Sequence, residues 1–276
     1  MRALRHTIFL TLAMSMLTGA AFAQESFIIG VAPHTSARVI LEMYQPLRLY
    51  LEQALKMPVE VVTAPDFNEF ARRALAQEYD LAVTTGHQAR LLQTDARFLP
   101  QLTYQADFKS VVIVAAKGNI RKPKDLKGTS VLGLSPASLV TLWGQHWLAD
   151  NGLGSLPVKY VSASDSVAQL VVAGEAAAGF NSLANFQKLK PEVQSQLRIL
   201  AESRSMTGRV YVLNSRWAAR EKQINAALWA FAATAQGKHY FEVNKLDGYR
   251  RLRPNELQAM DKYASEVRKA LRKGNK

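Results

Sequence analysis

The chain has 276 residues, 48% of them hydrophobic and 21% charged, with a formal charge of +13 and no cysteine. That length can bury the core of one large domain or two modest ones, and the missing cysteine excludes disulfides, thiol nucleophiles, zinc–thiolate sites, iron–sulfur clusters and a lipidated cysteine anchor. The basic balance points to anionic partners, but the positive residues are scattered rather than striped, which favours a small acidic ligand over nucleic acid.

The chain opens with Arg2 and Arg5, an apolar run "IFLTLAMSMLTGA" over 8–20 and "AFA" over 21–23. This is the pattern of a secretory signal peptide cleaved near Ala23 and Gln24. A periplasmic protein is therefore expected, and residues 1–23 fall outside the fold. Removing two arginines from +13 leaves about +11 on the mature chain. "SFIIGVAP" (26–33) then reads as a buried strand, and 37–55 as a helix with Val39, Ile40, Met43, Leu47, Tyr50, Leu51 and Leu55 on one side. "PVEVVTAP" (58–65) is a second strand. Asp66 caps a helix that carries Phe67, Phe70, Ala71 and Leu75, with Glu69 placed for a capping box. "YDLAVTTG" (79–86) is a third strand, so the opening reads βαβαβ.

A long β-branched strand follows over 108–117, then a Pro- and Lys-rich connection, and "VLGLSPASLVTLWGQHWLADNGL" (131–153) passes from strand through a polar turn into a helix. "PVKYVSAS" (157–164), a helix closed by Gly174 and the short strand "AAAGFN" continue the alternation. A second long strand spans 208–216, and helices are expected over 218–236 and 255–272. The tail cations Arg268, Lys269, Arg272, Lys273 and Lys276 sit at helical spacing and read as a solvated face. The βα alternation restarts after residue 118 between two long strands, which predicts an α/β protein of two lobes. The first lobe is expected over 24–112, the second over 113–206, and 207–276 returns to the first. Ligands of open α/β sheets sit beyond the carboxyl ends of the strands, so the ligand would lie in the cleft and closure would be a hinge motion.

Catalytic motifs are sparse. His34, His87, His146 and His239 show no metal-ligand spacing, and no GxSxG, Walker or dinucleotide loop is present. His146 and His239 read as packing or surface residues. No enzyme and no cofactor are expected, with an exported hydrolase using Ser135 or Ser138 as the alternative from another class. Short polar turns follow the strands instead: His34, Thr35 and Ser36; Thr84, Thr85 and His87; Ser135 and Ser138; Ser164; and Asn181. Hydroxyls, amides and helix N-termini of this kind suit capture of a small polar solute. Arg90 and Arg209 are candidate cations for an anion held there.

The mature chain resembles the phosphate/phosphite/phosphonate-binding family of ABC-transporter periplasmic solute-binding proteins. The resemblance lies in the opening G-V-x-P turn, the "YQPL" helix, the "PVE" and "YDLA" strands, "KSVVIVAAKGNIRKPKDLKGTSV" and "VAQLVVAGEAAAGF". It implies a type II periplasmic-binding-protein fold and delivery of a small, anionic, phosphonate- or phosphate-like solute to an inner-membrane permease, by a monomer that closes over it. A sensory protein of the same fold, presenting its ligand to a membrane receptor kinase, is the alternative. The family's Ser-Thr-Ser-Gly helix start reads Ala137-Ser138-Leu139-Val140 here, and its G-P-x-A-Y turn reads Gly86-His87-Gln88-Ala89-Arg90. Where the family often has a histidine and an aspartate, this chain has Ser164 and Ala177.

Overall fold

The structure is a computed structural model that describes residues 25–273. The expected signal peptide, residues 1–23, lies outside the described residues. In chain order, β1 (Phe27–Val31), β2 (Val59–Thr63), β3 (Leu81–Thr85) and β4 (Leu99–Tyr104) alternate with helices Ala37–Leu55, Phe67–Leu75 and Gly86–Asp95. The chain then crosses over and builds β5 (Ser110–Ala115), β6 (Val131–Gly133), β7 (Val158–Tyr160), β8 (Ala178–Ser182) and β9 (Leu197–Glu202), with helices Leu139–Asp150 and Ser164–Val172 between them. It returns through β10 (Arg209–Leu213) and β11 (Tyr249–Arg250) and ends on helices Glu221–Ala233, Ala235–Asn244 and Asp261–Lys273.

Two mixed sheets result, ordered β11-β4-β10-β3-β1-β2 and β7-β6-β8-β5-β9. β2, β1 and β3 run parallel, while β10 lies antiparallel between β3 and β4. All five residues of β3, Thr84 and Thr85 included, are buried, as a strand in the middle of a sheet covered on both faces should be. Asp66 does cap its helix, accepting from Asn68 N at 2.7 Å and Glu69 N at 2.9 Å. The Glu69 carboxylate does not complete the expected capping box; it turns to Arg72 and Arg73 one turn on. One apolar cluster, with Ile40, Tyr44, Leu47, Leu228 and Phe231, fills the first sheet's face beneath helices Ala37–Leu55, Glu221–Ala233 and Ala235–Asn244. The other runs from Phe70, Leu91 and Phe98 into the second lobe at Val112, Val167 and Phe180.

The two-lobed α/β organisation stands, with a shifted crossing. Ser110, Val111 and Val112, expected in the first lobe, pair with β8 and β9 and belong to the second sheet. The chain crosses at 105–109 and returns at 203–208, where Phe108 and Met206 form an antiparallel bridge. The shift arises because the apolar run of 108–117 marks burial without saying in which lobe. Two strands, β4 inside the first sheet and β9 at the edge of the second, lie in stretches to which the sequence assigns no element. The helix expected over 218–236 divides at Thr234, whose hydroxyl caps the next helix by accepting from Gly237 N at 2.9 Å. In the tail, Arg268 is not part of a solvated face: its guanidinium grips Asp95 at 2.7 Å. The same helix reaches the second lobe, where His146 Nε2 lies 2.7 Å from Glu266. Among the described residues, no helix is long and apolar enough to cross a membrane.

Candidate functional site

The two lobes enclose a cavity of about 60 Å³ at the carboxyl ends of their parallel strands. His34, Thr85 and Arg209 line it from the first lobe, and Ser138, Leu139, Val140, Ser182 and Asn185 from the second. Phe67 and Phe108 close its sides. Gly86 lets the first lobe approach the return crossing, since a Cβ there would lie 2.6 Å from the Thr207 side chain.

Arg209 dominates the electrostatics. It opens β10 opposite Thr85, and its guanidinium is turned inward over the Tyr104 ring, 5.4 Å from the centroid. Nη1 donates to His34 Nε2 at 3.1 Å and lies 3.5 Å from the Tyr44 hydroxyl. Among the described residues no carboxylate pairs with it, and its Nε and Nη2 groups have no acceptor. Burial opposes its charge, and the hydroxyls of Tyr44, Tyr104 and Tyr240 stand around it. Those phenols form a buried network. Tyr104 Oη lies 2.6 Å from both Tyr211 Oη and Tyr240 Oη, and Tyr249 donates to Tyr211 at 3.0 Å. Burial pushes the Tyr104, Tyr211, Tyr240 and Tyr249 hydroxyls well above their usual pKa, so all remain neutral. Neutral dipoles solvate a cation without cancelling it. The site therefore keeps a full positive charge, as an anion receptor requires.

His34 serves the same end. Its Nδ1 donates to the Ala32 carbonyl at 2.9 Å, which leaves Nε2 as an acceptor for Arg209. Burial, with Arg209 next, holds its pKa well below the ordinary value, so the ring is a neutral support. A second cation stands nearby: burial, then Arg209 and Lys245, lower the pKa of Lys188 to about 8.

The second lobe brings no charge to the wall, but a helix start beside the polar Ser182 and Asn185. Ser138 caps Leu139–Asp150 by accepting from Thr141 N at 3.4 Å, and its hydroxyl donates to Thr141 Oγ1 at 2.8 Å. The N–H groups of Leu139 and Val140 face no protein acceptor, as the first turn of a helix leaves them. They add the positive end of the helix dipole to the cavity. The bulky Leu139 and Val140 side chains line the chamber while their backbone stays available.

His87 joins the lobes. Its Nε2–H donates to the Ala137 carbonyl at 2.9 Å, while Nδ1 accepts from the Thr85 hydroxyl at 3.1 Å. Burial lowers its pKa to about 4, so the ring is neutral and acts as a link between lobes. Asn185 makes a second link, from Ser164 Oγ at 2.9 Å toward the His34 carbonyl at 3.5 Å.

The expected site residues thus divide. His34, Thr85, Ser138 and Arg209 line the cavity, and His87 stands behind it. Arg90 faces away: it pairs with Asp261 at 2.6 Å and Gln93 at 2.9 Å, fastening the C-terminal helix to the first lobe. Thr84 alternates to the other side of its strand and donates to Gln88. Asn181 ties Ser164 O to Ser182 N across a strand end, and Ser164 accepts from Asn185, so both support the wall rather than line it. Thr35 and Ser36 lie outside the chamber, Ser36 exposed as a helix cap. Ser135 accepts from Ala137 N and faces a neighbouring pocket. Neither Ser135 nor Ser138 is hydrogen-bonded to a histidine. The sequence reading missed Asn185, Phe67, Phe108, Lys188 and the tyrosine network. Its tyrosines lie far apart in the chain, so no local pattern announces them. Among the described residues no His, Asp or Glu cluster could hold a metal ion.

The family model described as ABC transporter, phosphonate, periplasmic substrate-binding protein matches residues 29–257. No curated protein matches the chain significantly by sequence. Among solved structures, PhnD1 from Prochlorococcus marinus in complex with methylphosphonate superposes with a TM-score of 0.77 at 15% identity, covering 88% of this chain and 98% of that one. A binding protein component of an ABC phosphonate transporter from Pseudomonas aeruginosa gives 0.77 at 15% identity, covering 90% and 89%. XAC2383 from Xanthomonas citri bound to ATP gives 0.73 at 19%, covering 88% and 98%. These likenesses establish the type II periplasmic-binding-protein fold, and the family match over most of the chain establishes that it belongs to the phosphonate periplasmic substrate-binding proteins of ABC transporters.

Proposed function

We propose that this chain captures a small oxyanion of the phosphonate class in the periplasm and passes it, chemically unchanged, to an ABC permease. The observation that carries this reading is Arg209, a largely buried guanidinium at the cleft with no carboxylate and with two nitrogen groups unengaged. The oxyanion docks on Arg209 in the first lobe. Closure then brings the Leu139 and Val140 N–H groups to its other side, and the added contacts favour the closed form. The hydroxyls of Ser135 and Ser138 serve the turn and the cap, so they are not nucleophiles. The mature protein begins near Gln24 and acts as a monomer.

A thermal-shift screen of the ligand-free mature protein tests this. Methylphosphonate, phosphite, phosphate, alkylsulfonates, carboxylates and ATP form the panel, with glucose and putrescine as its neutral and cationic members. A ligand at a hundred times its Kd stabilises by about 2.7 kcal/mol through mass action, so a phosphonate should raise Tm measurably. A shift with neutral or cationic solutes alone would overturn the reading, and a shift with ATP alone would move the ligand class to nucleotides.

A further inference from the structure

The inner cavity is small, about 60 Å³, but it does not stand alone. A pocket of about 330 Å³ lies at the cleft entrance, and Phe67 and Leu134 line both spaces. One comes from each lobe, and both are buried. The two cavities thus share an apolar wall made only when the lobes meet.

The entrance pocket has a different chemistry from the chamber. Pro33 and Pro65 face Pro136, Tyr160 and Val161 across it, and no Lys, Arg or His lines it. Prolines have no N–H to offer and hold a rigid backbone, so these stretches of wall are apolar and stiff, with Asn68, Ser135 and Ser162 the uncharged polar residues beside them. The one ionised lining group is Asp66, whose Oδ1 is committed to its helix cap. Its negative charge opposes any second anionic group there. Tyr160 is 46% exposed, a large ring left at the rim rather than packed into the core.

We propose that this entrance pocket is a subsite for an uncharged apolar substituent on the ligand whose anionic head sits at Arg209. The preferred ligand class is then aryl or branched-alkyl phosphonates rather than inorganic phosphate or a polyphosphate. This rests on the oxyanion reading of the inner chamber. The head meets the charge and the helix N–H groups, the bond to the substituent passes the Phe67–Leu134 wall, and the substituent packs against the prolines and Tyr160.

Calorimetric titration of the mature protein with phenylphosphonate, methylphosphonate, aminopropylphosphonate and pyrophosphate tests it. Phenylphosphonate should bind at least about tenfold tighter than methylphosphonate, as burial of a ring predicts. Ser162→Trp, at an exposed position on the pocket rim, should remove most of that advantage while methylphosphonate stays within about threefold of wild type. Tyr160→Ala should weaken phenylphosphonate selectively. Equal binding of the methyl and phenyl compounds, or tightest binding of the aminopropyl compound or pyrophosphate, would overturn the subsite alone. Silence from every phosphonate would overturn the oxyanion reading and the subsite with it.

Discussion

Two charges, one buried and one half-buried, stand at opposite ends of the β3–β10 pair, and they are treated in opposite ways. Asp80 precedes β3 at 2% exposure and is fully partnered: Ile28 N donates to it at 2.7 Å, Arg216 pairs with it at 2.5 Å, and the Trp217 indole N–H donates to it. Arg209, at the other end, has neutral hydrogen-bond partners only. Asp80 is neutralised because it fastens the strand ends to the Ser215–Arg220 turn. Arg209 is solvated but left charged because its partner comes from outside. A charge that serves the fold is paired within it, and a charge that serves a ligand is kept open.

Variants can break this contrast. Asp80→Ala should cost about 3 to 5 kcal/mol, because it strands two buried N–H donors and an arginine. Urea unfolding followed by circular dichroism measures it, and a change within about 0.5 kcal/mol would mean that Asp80 is not the anchor described.

The link between the lobes makes the next largest effect pH-dependent. His87 is neutral in the fold with a pKa of about 4, and near 6.5 when unfolded. Between those values the unfolded chain binds the extra proton, so stability falls as pH falls through this window. The loss approaches about 3 kcal/mol near pH 4. His34, lowered in the same direction, adds to it. His87→Gln should flatten the part due to His87, and an unchanged pH profile of denaturant midpoints would contradict the buried neutral ring.

A smaller effect is expected beneath Arg209. Tyr104→Phe removes the hydroxyl that meets Tyr211 and Tyr240 at 2.6 Å, at a cost of about 1 to 2 kcal/mol, with oxyanion affinity about tenfold weaker. Calorimetry and thermal melts on the one variant separate the two. Smallest of all is Arg90→Ala. Its Asp261 partner is 59% exposed, so stability should change by under about 1 kcal/mol, and ligand affinity should not move. A large affinity loss in Arg90→Ala would return that residue to the site.

The fold was more legible than the site. Period-two and period-3.6 patterns exposed the strands and helices that carry continuous apolar faces, such as 37–55 and β3. β4 and β9 were missed because polar residues interrupt them, as Gln101 and Arg198 do, and pairing in the sheet rather than local pattern makes them strands. At the site, strand ends were readable but directions were not. Thr84 and Thr85 are neighbours on β3, yet only Thr85 reaches the cavity. Arg90 and Arg209 looked equivalent as cations; which one faces the cleft depends on the helix carrying Arg90 packing against Asp261–Lys273. The tyrosines that keep Arg209 charged meet only after the chain has returned from the second lobe.

The central claim, that Arg209 is a charge held for an anion, is tested most directly by Arg209→Met. Thermal melts of this variant and of wild type, each with and without saturating methylphosphonate, are the measurement. The ligand-free variant should melt at or above the wild-type temperature, since a half-buried cation without a carboxylate partner has been replaced by an apolar side chain of similar length, and the ligand-induced shift should vanish. A variant that is destabilised without ligand yet still shifts fully with it would contradict the account.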